Sequence, residues 1–205
     1  MENYLMFNGR KVELTPKQVE EIKCSFGIGV VKLSEIAVGK TFRVGDFEFI
    51  ALEQSSDTTA VIFKGIYRNS ERFGDSNNFN GSDVDRLCSE LADKISAITG
   101  IENLIEHTVD LTSDDGLKDY GKIKRRVSLL TCNQYRKYVD ILDKHKLEKW
   151  WWLVTPYSAP SHNHTNWAKC VSPVGIINVD DYFNVNGVRP FCIFKSHILV
   201  SCQED

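Results

Sequence analysis

The segment Glu148–Pro160 reads E-K-W-W-W-L-V-T-P-Y-S-A-P and places three of the four tryptophans of this 205-residue chain side by side. Successive side chains of an extended segment point to opposite faces, so Trp150 and Trp152 should share one face and Trp151 should occupy the other. Indole rings add large apolar areas, and a strand that carries them on both faces has to be covered on both. The sequence therefore predicts a strand buried between helices on one side and a loop layer on the other. The alternative is that the rings form a wall against which a ligand docks.

Short apolar runs separated by turn residues are distributed along the rest of the chain. Gly45-Asp46 and Ser55-Ser56-Asp57 separate three of these runs, which is typical of an antiparallel meander. The polar segment 68–81, rich in glycine and asparagine, predicts a loop. The predicted strands cover 41–44, 47–52, 58–63, 150–154, 167–172, 174–178 and 188–200.

Capping residues predict two helices. Ser82 precedes apolar residues at helical spacing, and Gly100 follows the last of them. Thr131 and Gln134 stand at the spacing of a capping box ahead of a second helix. The predicted buried faces comprise Val84, Leu87, Cys88, Leu91, Ile95 and Ile98 in the first helix, and Tyr135, Tyr138, Val139 and Leu142 in the second. The predicted fold class is α+β, a twisted antiparallel sheet with two packed helices.

The N-terminal residues are interpreted as an appendage, with boundaries of 1–30 for a hairpin and helix and 31–205 for the main domain. Asn8-Gly9 readily takes positive φ at both turn positions, so a β-hairpin is expected around it. Thr15 and Gln18 then predict a capped helix. Because a two-stranded hairpin is too small to be stable alone, it should pack on another surface, and a homodimer would supply one.

Composition and charge limit the classes of function. The net charge of -3 and the pI near 6.0 give no overall basic field, which argues against direct nucleic-acid binding. The basic cluster 122–126 contains no aromatic residue and is interpreted as a solvated edge. The N-terminus lacks the pattern of a signal peptide and no apolar window reaches membrane-spanning length, so no membrane contact and a cytoplasmic location are expected. The six cysteines stand singly, which predicts reduced, buried thiols.

Three C-terminal segments carry a family resemblance. They read W-W-L-V-T-P-Y-S at 151–158, W-A-K-C-V-S-P-V-G-I-I at 167–177 and N-G-V-R-P-F at 186–191. In this order they resemble an uncharacterised family of small phage and prophage proteins, and the resemblance extends over most of the chain. The same ending is similar to the C-type-lectin-like fold, so a C-type-lectin-like C-terminal half is implied. Arg189, within the last segment, is expected to order loop carbonyls or a carboxylate.

Motifs for catalysis and cofactors are sparse. His162-Asn163-His164 with Cys170 nearby is the strongest candidate for a metal site, but no further ligand stands at suitable spacing, and solvated loop histidines are preferred. The calcium ligands of C-type lectins are absent, and nothing around Cys192 and Cys202 reproduces the signature of formylglycine-generating oxidases, which share that fold. Nucleophile-elbow and phosphate-loop motifs are also absent, so a non-catalytic protein with no cofactor is expected.

Two polar loops, 155–166 and 179–187, are predicted to come together as a recognition surface, because tyrosine, asparagine and serine are typical of adaptable binding loops. The alternative is that they are ordinary polar loops. The candidate partner-binding residues are Tyr157, His162, His164, Asn166, Asp180, Asp181, Tyr182, Phe183, Asn184 and Asn186.

The preferred hypothesis is a non-catalytic phage or prophage protein that binds a host protein or protein–nucleic acid complex in the bacterial cytoplasm. Inhibition of a CRISPR effector, an anti-CRISPR role in counter-defence, is its most concrete form and rests on the phage resemblance. One alternative is a virion module that binds a receptor or a glycan. The other is an enzyme or metalloprotein that uses His162, His164 or a cysteine.

Overall fold

The structure, a computed structural model, describes residues 4–7, 10–15, 18, 19, 22 and 29–202. It is a mixed α+β fold of mostly antiparallel sheets with few short helices, which confirms the predicted class. The described strands are β1 Tyr4–Phe7, β2 Arg10–Glu13, β3 Val30–Lys32, β4 Thr41–Val44, β5 Phe47–Gln54, β6 Thr58–Phe63, β7 Arg68–Arg72, β8 His107–Asp110, β9 Lys122–Arg125, β10 Val127–Ser128, β11 Trp151–Pro156, β12 Trp167–Val171, β13 Ile177–Asp181, β14 Val185–Val188, β15 Phe191–Lys195 and β16 Leu199–Cys202.

Two larger sheets organise the described residues, where the sequence predicted a single twisted sheet. One has seven strands in the order β10-β15-β6-β5-β4-β16-β3, and the other has five in the order β13-β12-β11-β14-β7. Neighbouring strands are antiparallel apart from β11 and β14, which pair in parallel at Trp151 and Gly187. Apolar runs indicate where strands lie along the chain, but they carry little information on which strands pair, and the prediction failed on that point.

Two backbone N–H groups of the outer strand β13 bind side chains of the same strand. The backbone N–H of Val179 donates to Asn178 Oδ1, and the backbone N–H of Asp181 donates to Asp180 Oδ1, both over 2.9 Å. These two donors of an edge strand are therefore already occupied.

Both capped helices are present. Helix α1, Asp83–Thr99, begins after Ser82, whose hydroxyl accepts the N–H of Asp85, and ends at Gly100. Helix α2, Cys132–Lys137, begins with the complete capping box of Thr131 and Gln134. The chain then changes direction at Tyr138, which has φ −105° and ψ 12°, and continues as the single turn α3, Val139–Leu142. The predicted second helix is thus shorter and interrupted.

The core consists of two clusters, and β11 lies between them. Trp152 and Val154 belong to the main cluster, which fills the space beneath α1, while Trp151 and Leu153 belong to a second cluster with residues of α2 and α3. Trp151 and Trp152 are 2% and 0% exposed. The predicted burial of this strand on both faces is confirmed for these two rings.

Strand β5 shares this arrangement. Phe49 and Ala51 face the main cluster, and Ile50 and Leu52 face the second. Burial on both faces explains why β5 and β11 read as continuous apolar runs rather than as alternating ones.

Some local predictions are wrong. Trp150 precedes β11 and is 40% exposed, so it does not share the buried face of Trp152. Ile98 is 51% exposed, because it lies over the β4–β5 turn at Gly45, beyond the edge of the core. The predicted loop 68–81 begins with strand β7, whose polar residues pair with β14 at a sheet edge. The closing segment 188–200 divides into parts of three strands.

The predicted N-terminal hairpin is present as the antiparallel pair β1 and β2. The capping box also forms, because Gln18 N donates to Thr15 Oγ1 over 3.3 Å and Thr15 N donates to Gln18 Oε1 over 2.9 Å. Asn8 and Gly9, on which the turn was predicted, lie outside the described residues.

Arg189 orders backbone carbonyls, as the sequence predicts. The side chain is 1% exposed and donates to the carbonyl oxygens of Phe63 (2.9 Å), Lys64 (3.1 Å) and His145 (3.3 Å). Its guanidinium carbon lies 5.3 Å from the centroid of the Trp151 ring. Burial lowers the pKa of Arg189 to about 10.

The thiols of Cys88, Cys132, Cys170 and Cys192 are buried and unpaired, as predicted. The side chains of Cys24 and Cys202 lie outside the described part. None of the helices in the described part of the chain combines the length and the apolar character needed to span a membrane.

Candidate functional site

The loops 155–166 and 179–187 lie next to each other where β11 ends and β12 begins. Tyr157 N donates to Trp167 O over 2.9 Å, which closes the first loop across β11 and β12. Tyr182 N donates to Asn166 O over 2.9 Å, and Asp181 pairs with Trp167 in the sheet. The predicted proximity of the two loops is therefore observed.

Buried Asn77 joins the first loop to the loop 111–121. Its Nδ2 donates to the carbonyl oxygens of Ser158 (2.9 Å) and Trp167 (3.0 Å), and its Oδ1 accepts from the Tyr120 hydroxyl (2.8 Å). Its backbone N–H donates to Thr165 O over 3.0 Å. A side chain that is 0% exposed and uses both ends of its amide fixes the relative positions of the two loops.

Asp115 anchors the same loop from the other side. Its Oδ2 accepts from the Ser158 hydroxyl (2.6 Å) and lies 3.0 Å from His162 Nδ1, while its Oδ1 accepts from the Ser113 hydroxyl. The hydrogen bond from Ser113, followed by those from Ser158 and His162, holds the pKa of Asp115 well below its usual range. A second anchor is Asp119, whose Oδ2 accepts from Ser161 N over 2.8 Å.

Serine, histidine and aspartate meet at this point, but their arrangement differs from that of a catalytic triad. In a triad the serine hydroxyl donates to the imidazole, and the imidazole donates to the carboxylate. Here Ser158 and His162 both bind Asp115 Oδ2, and Ser158 is 2% exposed. The geometry fixes the loop, and the Ser158 hydroxyl donates to the carboxylate and not to an imidazole as the nucleophile of a triad does.

Three exposed aromatic rings, Tyr157, His164 and Trp167, form what we term the aromatic platform. The Tyr157 and Trp167 rings meet edge to face with centroids 5.5 Å apart, and the His164 ring is stacked on Trp167 at 6.1 Å with an interplanar angle of 10°. Tyr157 is 38% exposed and Trp167 is 41% exposed. Large rings with this exposed fraction are available for contact with another molecule.

Lys169 supports the platform from beneath. Its side chain is almost fully covered, yet Nζ lies 2.8 Å from Asp114 Oδ2 and 5.3 Å from the centroid of the Tyr157 ring. A second cation, Arg136, approaches Asp114 Oδ1 at 3.6 Å. The charge of the covered ammonium is therefore balanced by a carboxylate and an aromatic face, which fixes Tyr157 in position.

The turn 179–187 is organised around Asp180. Its two carboxylate oxygens accept from Asn184 Nδ2 and Asn186 Nδ2, each over 2.8 Å. Phe183 is 56% exposed and meets Tyr182 edge to face at 5.7 Å, while Tyr182 packs against the main core cluster.

The ten predicted partner-binding residues thus have different environments. Those that are exposed are Tyr157, His162, His164, Asn166, Phe183 and Asn184, and those that are partly buried are Asp180, Asp181 and Tyr182. Asn186 is 7% exposed and bound to Asp180, so it holds the turn and has little surface for a partner.

Sequence reasoning missed the residues that position this surface, above all Asn77, Asp115 and Lys169. Trp167 was noticed as part of a strand and not as an exposed ring. The acidic run at 114 and 115 beside a glycine was a visible signal for a structured loop, whereas Asn77 bonds with residues more than forty positions away and leaves no local pattern.

The candidate metal ligands do not converge. His162 binds Asp115, His164 stacks on Trp167, and Cys170 is buried in the main core cluster. Within the described residues, no three histidine, cysteine or acidic side chains are placed to hold a metal ion. Burial raises the pKa of Cys170 to about 12 and also raises the pKa of Cys132, so both thiols are protonated at neutral pH.

The basic cluster 122–126 is less solvated than predicted, because Arg125 forms a bidentate pair with Asp85. Arg125 Nε and Nη2 each lie 2.7 Å from a different oxygen of that carboxylate, and Nη2 also donates to Asn80 Oδ1 over 2.9 Å. These bonds to Asp85 raise the pKa of Arg125. This arginine therefore links β9 to α1 and the preceding loop.

Comparison with protein-family models, with curated proteins and with solved structures found no match to this chain. The resemblance to a phage and prophage family therefore stays a prediction.

Proposed function

We propose that the protein is a non-catalytic recognition protein that binds a macromolecular partner through the aromatic platform and the adjoining turn 179–187. The observation that carries this proposal is the exposure of Tyr157, His164 and Trp167 on a support of buried hydrogen bonds. Tryptophan and tyrosine contribute most of the binding energy at many protein interfaces. Rings that are already fixed lose little conformational entropy on binding, which favours affinity.

The chemistry around the platform supports binding rather than catalysis. Ser158 and His162 are both bound to one carboxylate, so neither activates the other. The buried thiols have raised pKa values, which is the opposite of what a cysteine nucleophile requires. Exposed and fixed rings are sufficient for protein–protein contact, which requires no activated nucleophile.

The finer parts of the proposal rest on the sequence resemblance. They are a C-type-lectin-like C-terminal half, a phage or prophage origin, and action in the bacterial cytoplasm on a host protein or protein–nucleic acid complex. Inhibition of a defence complex of the CRISPR type is the most specific form of the proposal. The net charge of -3 favours a protein surface over exposed nucleic acid as the partner's contact.

Two tryptophan variants test the proposal with a matched control. Trp167→Ala removes an indole that is 41% exposed within the platform, and Trp150→Ala removes one that is 40% exposed outside it. The partner would be identified by affinity capture from a bacterial host lysate, purified, and titrated against each variant by calorimetry. We expect Trp167→Ala to weaken binding by about tenfold or more, as for an interface hot spot, and Trp150→Ala to leave it unchanged.

Equal loss of affinity in both tryptophan variants, or none in Trp167→Ala, would contradict the assignment of the platform. Failure to capture any partner with folded wild-type protein would contradict the recognition function itself.

A further inference from the structure

A polar cavity of about 440 Å³ lies beside the aromatic platform, within the usual size range of small-molecule sites. Its walls come from β8 and the loop that follows it, from α2, and from Thr155 of β11. Hydroxyl, amide and charged side chains dominate the lining, so the cavity suits a polar ligand rather than an apolar one.

The wall formed by α2 offers hydrogen-bond donors. Asn133 Oδ1 accepts from Arg136 Nη1 (2.9 Å) and Gln134 Oε1 accepts from Thr131 N (2.9 Å), so the two amide oxygens are engaged within α2 and its cap. The amide nitrogens of Asn133 and Gln134 have no partner among the described residues. Two amide groups and the guanidinium of Arg136 therefore present N–H groups to this side of the cavity.

The end of β8 and the loop that follows it offer carboxylates. Asp110 Oδ2 lies 3.0 Å from Lys122 Nζ, and its Oδ1 accepts from the backbone N–H (3.0 Å) and the hydroxyl (2.6 Å) of Thr112. Burial alone would raise the pKa of Asp110, but the hydrogen bonds from Thr112 and Lys122 outweigh it and keep the group ionised. Asp114, bound to Lys169, supplies the second carboxylate. Asp110 Oδ2 and both oxygens of Asp114 each retain a lone pair for a further donor.

The cavity thus places a guanidinium and two amides next to two carboxylates, and Arg136 Nη2 lies only 3.6 Å from Asp114 Oδ1. Opposite charges this close together match a ligand that carries both charges on neighbouring groups. A zwitterion can bind both kinds of group, because its carboxylate can bind Arg136 and the amides while its ammonium binds Asp110 or Asp114. We propose that this cavity binds a free α-amino acid, a site separate from the proposed partner-binding platform.

Calorimetric titration of the full chain with each of the twenty standard amino acids tests this proposal. For each amino acid that binds, the matched acid without its amino group and the matched amine without its carboxyl group are titrated in parallel. We expect at least one amino acid to bind and both halves to bind at least about tenfold more weakly, since each half loses one charge-assisted contact. Glucose, galactose and N-acetylglucosamine serve as neutral polar probes. Binding of these sugars without any amino acid, or of one half as tightly as the whole, would overturn the proposal.

A pair of arginine variants locates the site. Arg136→Gln removes the guanidinium of the cavity from a side chain that is 56% exposed, and Arg86→Gln removes one that is 62% exposed on α1. Arg136→Gln should weaken amino-acid binding by about tenfold or more, and Arg86→Gln should not change it. Trp167→Ala should retain amino-acid binding, which separates failure of this site from failure of the platform. Wild-type affinity in Arg136→Gln would place the amino acid elsewhere and refute the assignment.

Discussion

Replacing the buried Asn77 with alanine tests whether one amide holds the recognition loops in place, and we expect the free energy of unfolding to fall by about 3 kcal/mol. The side chain makes two short bonds to carbonyl oxygens and accepts one from Tyr120, and these three are 3.0 Å or shorter. Each such bond contributes about 1 kcal/mol net. Trp167 O keeps its bond from Tyr157 N, but Ser158 O loses the donor that the Asn77 side chain supplies.

The measurement is urea unfolding followed by tryptophan fluorescence, with Asn69→Ala as the control because Asn69 is exposed on β7. Asn69→Ala should change stability by less than about 0.5 kcal/mol. Tyr120→Phe should cost about 1 kcal/mol, the share of a single hydrogen bond. A loss of less than about 1 kcal/mol in Asn77→Ala would refute the view that these bonds fix the loops, since one bond alone is worth that much.

Asn77→Asp gives an independent check through pH. The variant places a carboxylate against the carbonyl oxygens of Ser158 and Trp167, which disfavours the ionised form and raises the pKa of the new group in the folded state. At residue 77 the folded variant then binds more protons than the unfolded chain, so its loss of stability relative to the wild type should shrink as the pH falls from 7 to 5. If the unfolding free energies of the variant and the wild type differed by the same amount at both pH values, the placement of residue 77 against these carbonyl oxygens would be contradicted.

Three further predictions concern buried or capping side chains. Burial lowers the pKa of His107 from 6.5 to about 4 in the folded chain. The unfolded chain therefore binds more protons between these two pH values. The contribution of this histidine to stability is fully present above pH 6.5 and is lost as the pH falls. This histidine should remove about 2 kcal/mol of unfolding free energy between pH 7 and 5, and calorimetric scans should show a smaller loss in His107→Gln. Thr131→Ala should cost about 1 kcal/mol by removing the cap of α2, and Thr131→Ser should restore most of it in chemical denaturation. Arg189→Met should cost about 2 to 4 kcal/mol, because three carbonyl oxygens lose the donor that the buried guanidinium supplies, and a melting temperature equal to that of the wild type would contradict this role.

Features encoded within a few neighbouring residues were predictable from the sequence. Ser82 and Thr131 mark helix starts because each cap needs a side chain only three residues from its backbone partner. The continuous apolar run at β11 predicted burial on both faces for the same local reason. Trp150 was mispredicted because the strand begins one residue later, and strand boundaries depend on pairing with distant segments.

The candidate site was less predictable because its geometry depends on contacts between distant parts of the chain. The two loops could be proposed from their composition, but composition does not distinguish an exposed side chain from one that holds a turn, as Asn186 does. Lys169 and Asp114 are fifty-five positions apart, and only the folded chain brings them to 2.8 Å. The aromatic platform depends on such pairs.

The self-bonded edge strand β13 restricts how other molecules can attach to this protein. Many binding domains capture an extended peptide by letting it join the sheet, and unprotected edges also promote aggregation. Because Asn178 and Asp180 already occupy the N–H groups of Val179 and Asp181, an incoming strand would find these two donors taken. A partner strand, including one from a second copy of the chain, therefore has fewer backbone hydrogen bonds to make at this edge. Side-chain shape then contributes a larger share of selectivity than at an edge whose donors are all open.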